Sequence, residues 1–445
     1  MMNAVENITS HYLADYENSA SALPGRHLPW LQQLCSDALQ QFAQQGFPSP
    51  REEEWKYTNV SAIEKKRFSP AASEAAQAAV DSDWLDACRL ADAWSLVLVD
   101  GRFSAQLSRL EGLPESVIVC AMAEALEKHP DRLEARFGRA LTRENHGFIH
   151  FTSAWFSDGL YLHIPPRTVL DKPVQLLHVV TKPDSLAVTR SLIDVESMAE
   201  AEVFETFVGV DDLAYLNASV TEVLVGDNAR LDLYKLQCET GKAYHFGGTY
   251  VLQESHGRFQ HHNFSFGGLL ARNEVHTDLG RAAECQLNGL YIGRKRQHSD
   301  NHTRINHTQP HGISREMYKG ILDQRARGVF QGRVVVFEGA QKTDSEMNNR
   351  NLLLSNDAEA DTKPQLEIYN DDVKCSHGVT VGQLDEKSIF YLRSRCIDAE
   401  TARNMLTFAF ANEMVDKLPN RSFQGLVQAQ LLAHFPQTGI VKEWL

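Results

Sequence analysis

The sequence predicts a mainly β protein: a parallel β-helix core, preceded by a helical segment with a small sheet of its own and followed by a helical segment. Three observations predict it. From Gly147 to about Ile397 the chain is a succession of short apolar or alternating stretches separated by Gly, Asp and Asn turns, with almost no credible helix. Within that region a small, a polar and an apolar residue recur about every 26 to 28 residues, at Ala201-Glu202-Val203, Ala229-Arg230-Leu231, Gly257-Arg258-Phe259 and Ala283-Glu284-Cys285. On both sides of it the apolar spacing changes from two to three and four. A repeat of this length fits one coil of a solenoid, which buries its inward residues on the coils above and below; a β-sandwich is the alternative. The expected domains are residues 1–146, 147–397 and 398–445.

Leu31, Leu34, Cys35, Ala38 and Phe42 line one face of an N-terminal helix, and Gly46 with Pro48 stops it. Residues 51–68 are highly charged around Trp55 and Tyr57, and the alanine-rich stretch Ala71 to Ala91 reads as helix. The apolar run Ser95 to Val99, bounded by Gly101, is expected to be a strand closing the N-terminal domain's small sheet, and residues 121–144 return to helix. After Cys396, Asp398 can cap a helix with Glu400 in its first turn and a stripe of Ala402, Met405, Leu406, Ala409 and Phe410. Pro419-Asn420 ends it, and Leu426, Val427, Gln430, Leu431 and Phe435 mark a second amphipathic helix.

Composition excludes several functions. A 445-residue chain that is 43% hydrophobic can bury two or three cores. No apolar run approaches the roughly 18 to 20 residues that span a bilayer, and the N-terminus lacks the basic and apolar blocks of a secretory signal, so a cytoplasmic protein is expected. Seven scattered cysteines, an odd number, suit reduced thiols. A net charge of −14 argues against nucleic-acid binding, and Arg294-Lys295-Arg296 reads as a solvated turn. Phosphate-loop, dinucleotide, nucleophile-elbow and zincin motifs are absent, so catalysis by this chain alone is not expected.

The chemistry-bearing pair is Cys375 and His377. Two apart on an extended backbone, they project from one face and can present sulfur and nitrogen to a soft metal or an iron–sulfur species. Two ligands do not complete a tetrahedral site, and no second cysteine follows at short spacing, so the site is incomplete alone. The bland alternative is a buried thiol beside a hydrogen-bonded histidine. Arg393 and Arg395, read as one face of a strand, are placed to hold Asp371 or Asp372. Cys238 and Cys285 are expected in the core and Cys396 in packing. The nine histidines from His245 to His311 are read as structural.

The run KPQLEIYNDDVKCSHGVTVGQLDEKSIFYLRSR, Lys363 to Arg395, resembles the C-terminal signature of the SufB/SufD family of the SUF iron–sulfur cluster assembly machinery, in its SufD form. Supporting stretches are QGRVVVFEGAQKTDSEMNNRNLLL from Gln331 to Leu354, read as a glycine-bearing strand and an Asn-rich turn, Glu54 to Thr58, and Val99 to Arg102. Where SufB-type chains carry a scaffold cysteine, this chain reads Ser355 to Ala360 without a thiol.

The resemblance implies a right-handed β-helix and a non-catalytic subunit that pairs with SufB through the β-helix edge. It also implies a transient cluster shared with SufB at His377 with Cys375 beside it, supported by Asp372, Lys374, Arg393 and Arg395, and no tightly bound cofactor in the isolated chain. The C-terminal helices, at Met405, Leu406, Ala409 and Phe410, would dock the ATPase SufC. A reduced flavin in the complex and a homodimer of the isolated chain stay open. The competing readings are a carbohydrate-active β-helix enzyme and a stable metalloprotein.

Overall fold

The computed structural model describes residues 10–70, 80–210 and 212–435. Two ten-stranded sheets stack into a parallel solenoid of about eight coils. The first runs from Ile118–Ala121 and Leu160–Ile164 through Ser185–Val195, Leu216–Val225, Tyr244–Gln253, Leu270–Leu279, His298–His307 and Arg327–Val336 to Glu359–Ile368. The second runs from Trp94–Val99 and Val174–Val180 through Glu200–Gly209, Arg230–Cys238, Arg258–Ser265, Glu284–Gly293, Ile313–Leu322 and Asp344–Leu353 to Lys374–Gly382.

The repeat is explained at one corner of each coil. Met198, Asn228, His256, Ala282, His311 and Lys342 all have positive φ. Each donates its backbone N–H to a carbonyl of the next coil's corner, at Asp227, Ser255, Arg281, Pro310, Gln341 and Asp372. The residue after each corner turns inward where little space remains, so it is small: Ala199, Ala229 and Ala283 are fully buried. The pairing Leu231↔Ala201 makes Ala199-Glu200-Ala201 the first repeat, so the expected register starting at Ala201 is two residues late. Coils then vary from 26 residues, Gly257 to Ala283, to 31, Gly312 to Thr343, the slack being taken up in the corners.

The lumen has two lanes. One is apolar, with Leu231, Leu233, Phe259, Leu287 and Phe330 stacked rung on rung. The other is polar: the Lys235 ammonium lies 3.0 Å from His245 Nε2, whose Nδ1 lies 2.8 Å from Glu239. Burial pulls the Lys235 ammonium down to about 8.

Three expectations change. The Trp94–Val99 strand pairs in parallel with Val174–Val180 and opens the second solenoid sheet, so it closes no separate N-terminal sheet. Gly147–Trp155, inside the stretch expected to be β, is a helix packed on the Pro29–Gln45 helix through Phe42 and Phe151, whose ring centroids are 5.3 Å apart. The Asn-rich stretch before Leu352 is strand, with Asn349 and Asn351 buried. Of the expected helix from Ala71 to Ala91, residues 71–79 lie outside the described residues; Ser82–Ala87 is helical and capped by Asp81. The Pro29–Gln45 helix buries Leu31, Cys35, Ala38 and Phe42 as anticipated.

Both outer faces are covered. N-terminal helices pack on the first sheet. The helices Ala399–Val415 and Arg421–Ala433 pack on the second, bringing Phe408, Met414, Phe423 and Val427 against Phe204, Tyr234, Phe264 and Ile321.

Residues 52–58 form a strap across the first sheet. The Arg272 guanidinium lies 3.5 Å from the centroid of Trp55, donates to the Glu54 carbonyl at 3.0 Å, and bridges Glu274 and Asp300, each at 2.7 Å. Farther along, Glu54 meets Arg333 at 3.6 Å and Glu53 pairs with Lys363 in the last coil. Burial alone would raise the Asp300 and Glu274 carboxyls, but His302 and Arg272 hold Asp300, and His146 and Arg272 hold Glu274, below the usual carboxylate range.

Removing Arg272 would strand two buried carboxylates, so Arg272→Ala is expected to cost about 3–5 kcal/mol in denaturant unfolding. Because the folded-state values of Asp300 and Glu274 are depressed, their stabilisation is present above their unfolded values near about 4 and is lost as pH falls below them. The thermal midpoint should therefore drop on acidification, and less steeply in Asp300→Asn than in the unsubstituted protein.

Candidate functional site

The solenoid's two ends differ. At its start the sheets are closed by antiparallel partners, Arg102–Phe103 on Trp94–Val99 and Ile118–Ala121 on Leu160–Ile164. At its finish, Glu359–Ile368 and Lys374–Gly382 each have a parallel neighbour on one side and, among the described residues, none on the other. Roughly alternate backbone groups of these two strands face outward unpaired.

Cys375 and His377 lie on that last strand, Lys374–Gly382, as the alternation requires. Register defines what each faces. Cys375 continues an inward column through Ser345, Ser314, Cys285, Phe259 and Leu231, and packs against the lumen core. His377 continues the next inward column, through Met347, Glu316, Leu287 and His261. Both are lumen positions on the last rung of the described residues, with no further coil above it among them. Cys375 is half-buried and His377 is exposed for that reason. Burial raises the Cys375 thiol, with Asp344 adding to the effect. Gly378 follows because a Cβ there would meet Asn348 Oδ1 at 2.7 Å.

The surroundings differ from expectation at several residues. Asp372 is exposed and paired with Lys342 at 2.8 Å, and its carbonyl receives the last corner bond. Lys374 is exposed on the same strand as the pair. Arg393 and Arg395 do not share a strand: Glu386–Arg393 is a helix, capped by Asp385 through the N–H groups of Lys387 and Ser388, and Arg395 lies in the turn after it. Arg395 donates to the Tyr391 hydroxyl at 2.6 Å and holds neither Asp371 nor Asp372. Cys396 is exposed at φ 65° rather than packed. Cys285 is buried as expected, and Cys238 partly so.

Sequence reasoning missed an apolar rim. Phe390 is 72% and Tyr391 56% exposed on the helix directly after the last strand, and Ile368, Tyr369 and Val381 are exposed at the ends of the two terminal strands. The signal was available: Asp385 three residues before Ser388 is a helix start, and a helix in place of a strand turns Phe390 and Tyr391 outward together.

On the Ala399–Val415 helix, Asp398 caps the N-terminus as expected. The buried face carries Ala402, Phe408, Ala411, Met414 and Val415. Met405 and Leu406 are half-exposed and Ala409 is exposed, forming the outer flank, while Phe410, also half-exposed, packs at its edge against the core and Lys319. The helix is pinned to the second sheet by Lys319, which donates to the Phe410 carbonyl at 2.9 Å and pairs with Glu413 at 2.5 Å.

Among the described residues one further group, His163, Asp194 and Glu196, has metal-ligand types close together. Asp194 lies 3.4 Å from His163 Nδ1 while Glu196 lies 3.7 Å from Nε2, on the opposite side of the ring, and Arg132 and Arg136 engage the same groups. Arg132 already engages His163 Nε2 and Glu196 while Arg136 pairs with Asp194, so the cluster reads as an ion-pair network.

Residues 178–410 match the SUF system FeS cluster assembly, SufBD core domain, and residues 6–176 match the SufBD protein N-terminal region. The chain is 33% identical to the iron-sulfur cluster assembly protein SufD of Escherichia coli, over 89% of this chain and 92% of that protein. It is 33% identical to an iron-sulfur cluster assembly SufBD family protein of Synechocystis sp., over 85% of each, and 24% identical to SufD of Bacillus subtilis, over 88% and 90%.

The placement of the thiols predicts an order of native-state alkylation. Mass spectrometry after iodoacetamide should find Cys396 modified first and Cys375 more slowly, with the buried Cys35, Cys120 and Cys285 at least about 100-fold slower than Cys396. Cys285 reacting as fast as Cys396 would contradict its lumen position.

Proposed function

The chain belongs to the SufBD family of iron–sulfur cluster assembly proteins, and from that premise we propose that it is a non-catalytic SufD-type subunit. In this reading it pairs with SufB across the open end of the solenoid, presents His377 with Cys375 beside it to a nascent cluster, and docks the ATPase SufC through its C-terminal helices. The cluster is cargo, built and passed on, and the chain holds no tightly bound cofactor of its own. The observation that carries the reading is that the Cys375–His377 pair sits on the terminal rung, where, among the described residues, lumen-facing side chains meet solvent beside unpaired strand edges.

The chemistry follows from the shortage of ligands. One half-buried thiol and one imidazole cannot saturate a tetrahedral iron, so a cluster needs donors from a second protein. Strand edges with an apolar rim at Phe390, Tyr391 and Tyr369 suit such a partner, because pairing satisfies the backbone and buries the rim. A site split between two subunits also releases its cargo when they separate. Closure of two SufC subunits on ATP, transmitted through the docked helices, would strain this junction and expose the ligands. Met405, Leu406, Ala409 and Phe410 are accessible for docking on a helix whose opposite face is anchored to the solenoid. In this reading the protein works in the cytoplasm. Among the described residues no helix is long and apolar enough to cross a membrane.

His377→Ala should leave the complex with SufB and SufC intact in co-purification while reducing cluster formation on it by at least about tenfold; a normal cluster yield would sink the role of His377. The paired change Met405→Asp and Leu406→Asp should abolish SufC capture and retain SufB. Retained SufC would place the docking surface elsewhere.

A further inference from the structure

Where polar side chains interrupt the apolar lane beside the polar one, the lumen contains a stretch that the protein does not satisfy by itself. His261, Asn263, Asn273 and Glu316 are all more than nine-tenths buried. Five of their side-chain atoms have no hydrogen-bond partner in the protein, both ring nitrogens of His261, Oδ1 of Asn263 and both amide atoms of Asn273, and the Glu316 carboxyl is approached by the Thr303 hydroxyl. They are neighbours by register. His261 and Glu316 occupy one inward column, two rungs apart with Leu287 between them, and Asn263 lies two residues along the strand from His261. Asn273 faces inward from the other sheet, beside Asn301. Asn301 accepts the Asn263 amide at 3.1 Å, which ties the two walls together.

Leaving this many buried donors and acceptors unpaired would forfeit an amount comparable to the whole net stability of a domain. The groups cannot be rescued by ionising. Burial, with Lys235 and His262 adding to it, disfavours the His261 cation, and burial pushes the Glu316 carboxyl up to about 8, so at neutral pH it carries a proton that itself needs an acceptor. Neutral donors and acceptors of both kinds line this stretch of the lumen, and the Lys235 ammonium, in register with Asn263 on the neighbouring strand, disfavours a metal cation there. That combination matches water, which offers two donors and two acceptors and occupies polar interiors where it finds two to four partners. Met347, 1% exposed on the next rung, closes the stretch toward His377.

We propose that the solenoid encloses an internal hydration site, a small file of ordered waters held between His261, Asn263, Asn273 and Glu316. The waters are structural ligands: they bridge the two sheets across the lumen and let polar side chains replace the stacked aliphatic column in these rungs. The site is separated from the terminal rung and is independent of what His377 binds.

A crystal structure of the full chain at about 1.5 Å resolution decides the matter. The expected result is at least two ordered waters within hydrogen-bonding distance of His261, Asn273 or Glu316. Side chains paired directly with one another across a dry lumen would overturn the proposal, and so would density for a bound ion. In solution, oxygen-17 relaxation dispersion should detect long-lived internal water, with the amplitude falling by about half or more in the folded His261→Leu/Asn273→Leu variant. An unchanged amplitude would also overturn it.

Discussion

Parallel stacking governs this molecule: every coil satisfies its backbone N–H and C=O groups only through the coils on either side. Within a parallel ladder no strand closes its own hydrogen bonds, so the structure must end by some other device. At the start the device is two antiparallel strands, Arg102–Phe103 and Ile118–Ala121. At the finish there is none among the described residues, and the exposed character of Glu359–Ile368 and Lys374–Gly382 follows directly. The same ladder dictates side-chain positions. Cys375 and His377 face the lumen axis because Leu231 and Leu233 do so five strands earlier in the same sheet, in the same two columns.

The coverings serve this arrangement in different ways. The C-terminal helices bury an aromatic face of the second sheet, and the Lys319–Glu413 pair fixes their approach. The strap at residues 52–58 works through charge. From Arg272 under Trp55 to Lys363 in the final coil it links successive strands of the first sheet, so the rung beside the candidate site is braced from outside while its open edge is left uncovered. A network of this kind, with Asp300 and Glu274 wholly buried, stabilises little against an apolar alternative but fixes one geometry, because any slip leaves a charge unpaired.

Much of this was legible in the sequence, for a physical reason: each coil repeats the same steric problem at its corner. Ala229, Gly257 and Ala283 are small because a left-handed residue precedes them, and that pattern reveals a solenoid even where the lumen residues vary. The first repeat was misplaced because Ala199 and Ala201 are both small, and only the pairing partner distinguishes them. The Gly147–Trp155 helix was hidden because it is buried on nearly all sides, leaving no polar face to set a period. Trp94–Val99 reads as a strand locally, but nothing local says which sheet a strand joins. At the site, the alternation of Cys375 and His377 could be read directly. The placement of Arg393 and Arg395 rested on a single local signal, the cap at Asp385, which alone distinguishes a short helix from a strand there.

What the structure adds to the Cys375–His377 pair is location, and the central claim is that the terminal rung is where a second protein completes the solenoid. Hydrogen–deuterium exchange of the full chain, alone and with SufB, tests it most directly, because amides facing an absent neighbour exchange freely and become protected when a strand pairs with them. The account predicts that protection on adding SufB is concentrated in Glu359–Ile368 and Lys374–Gly382. Unchanged exchange in both strands, with protection on another face, would contradict it.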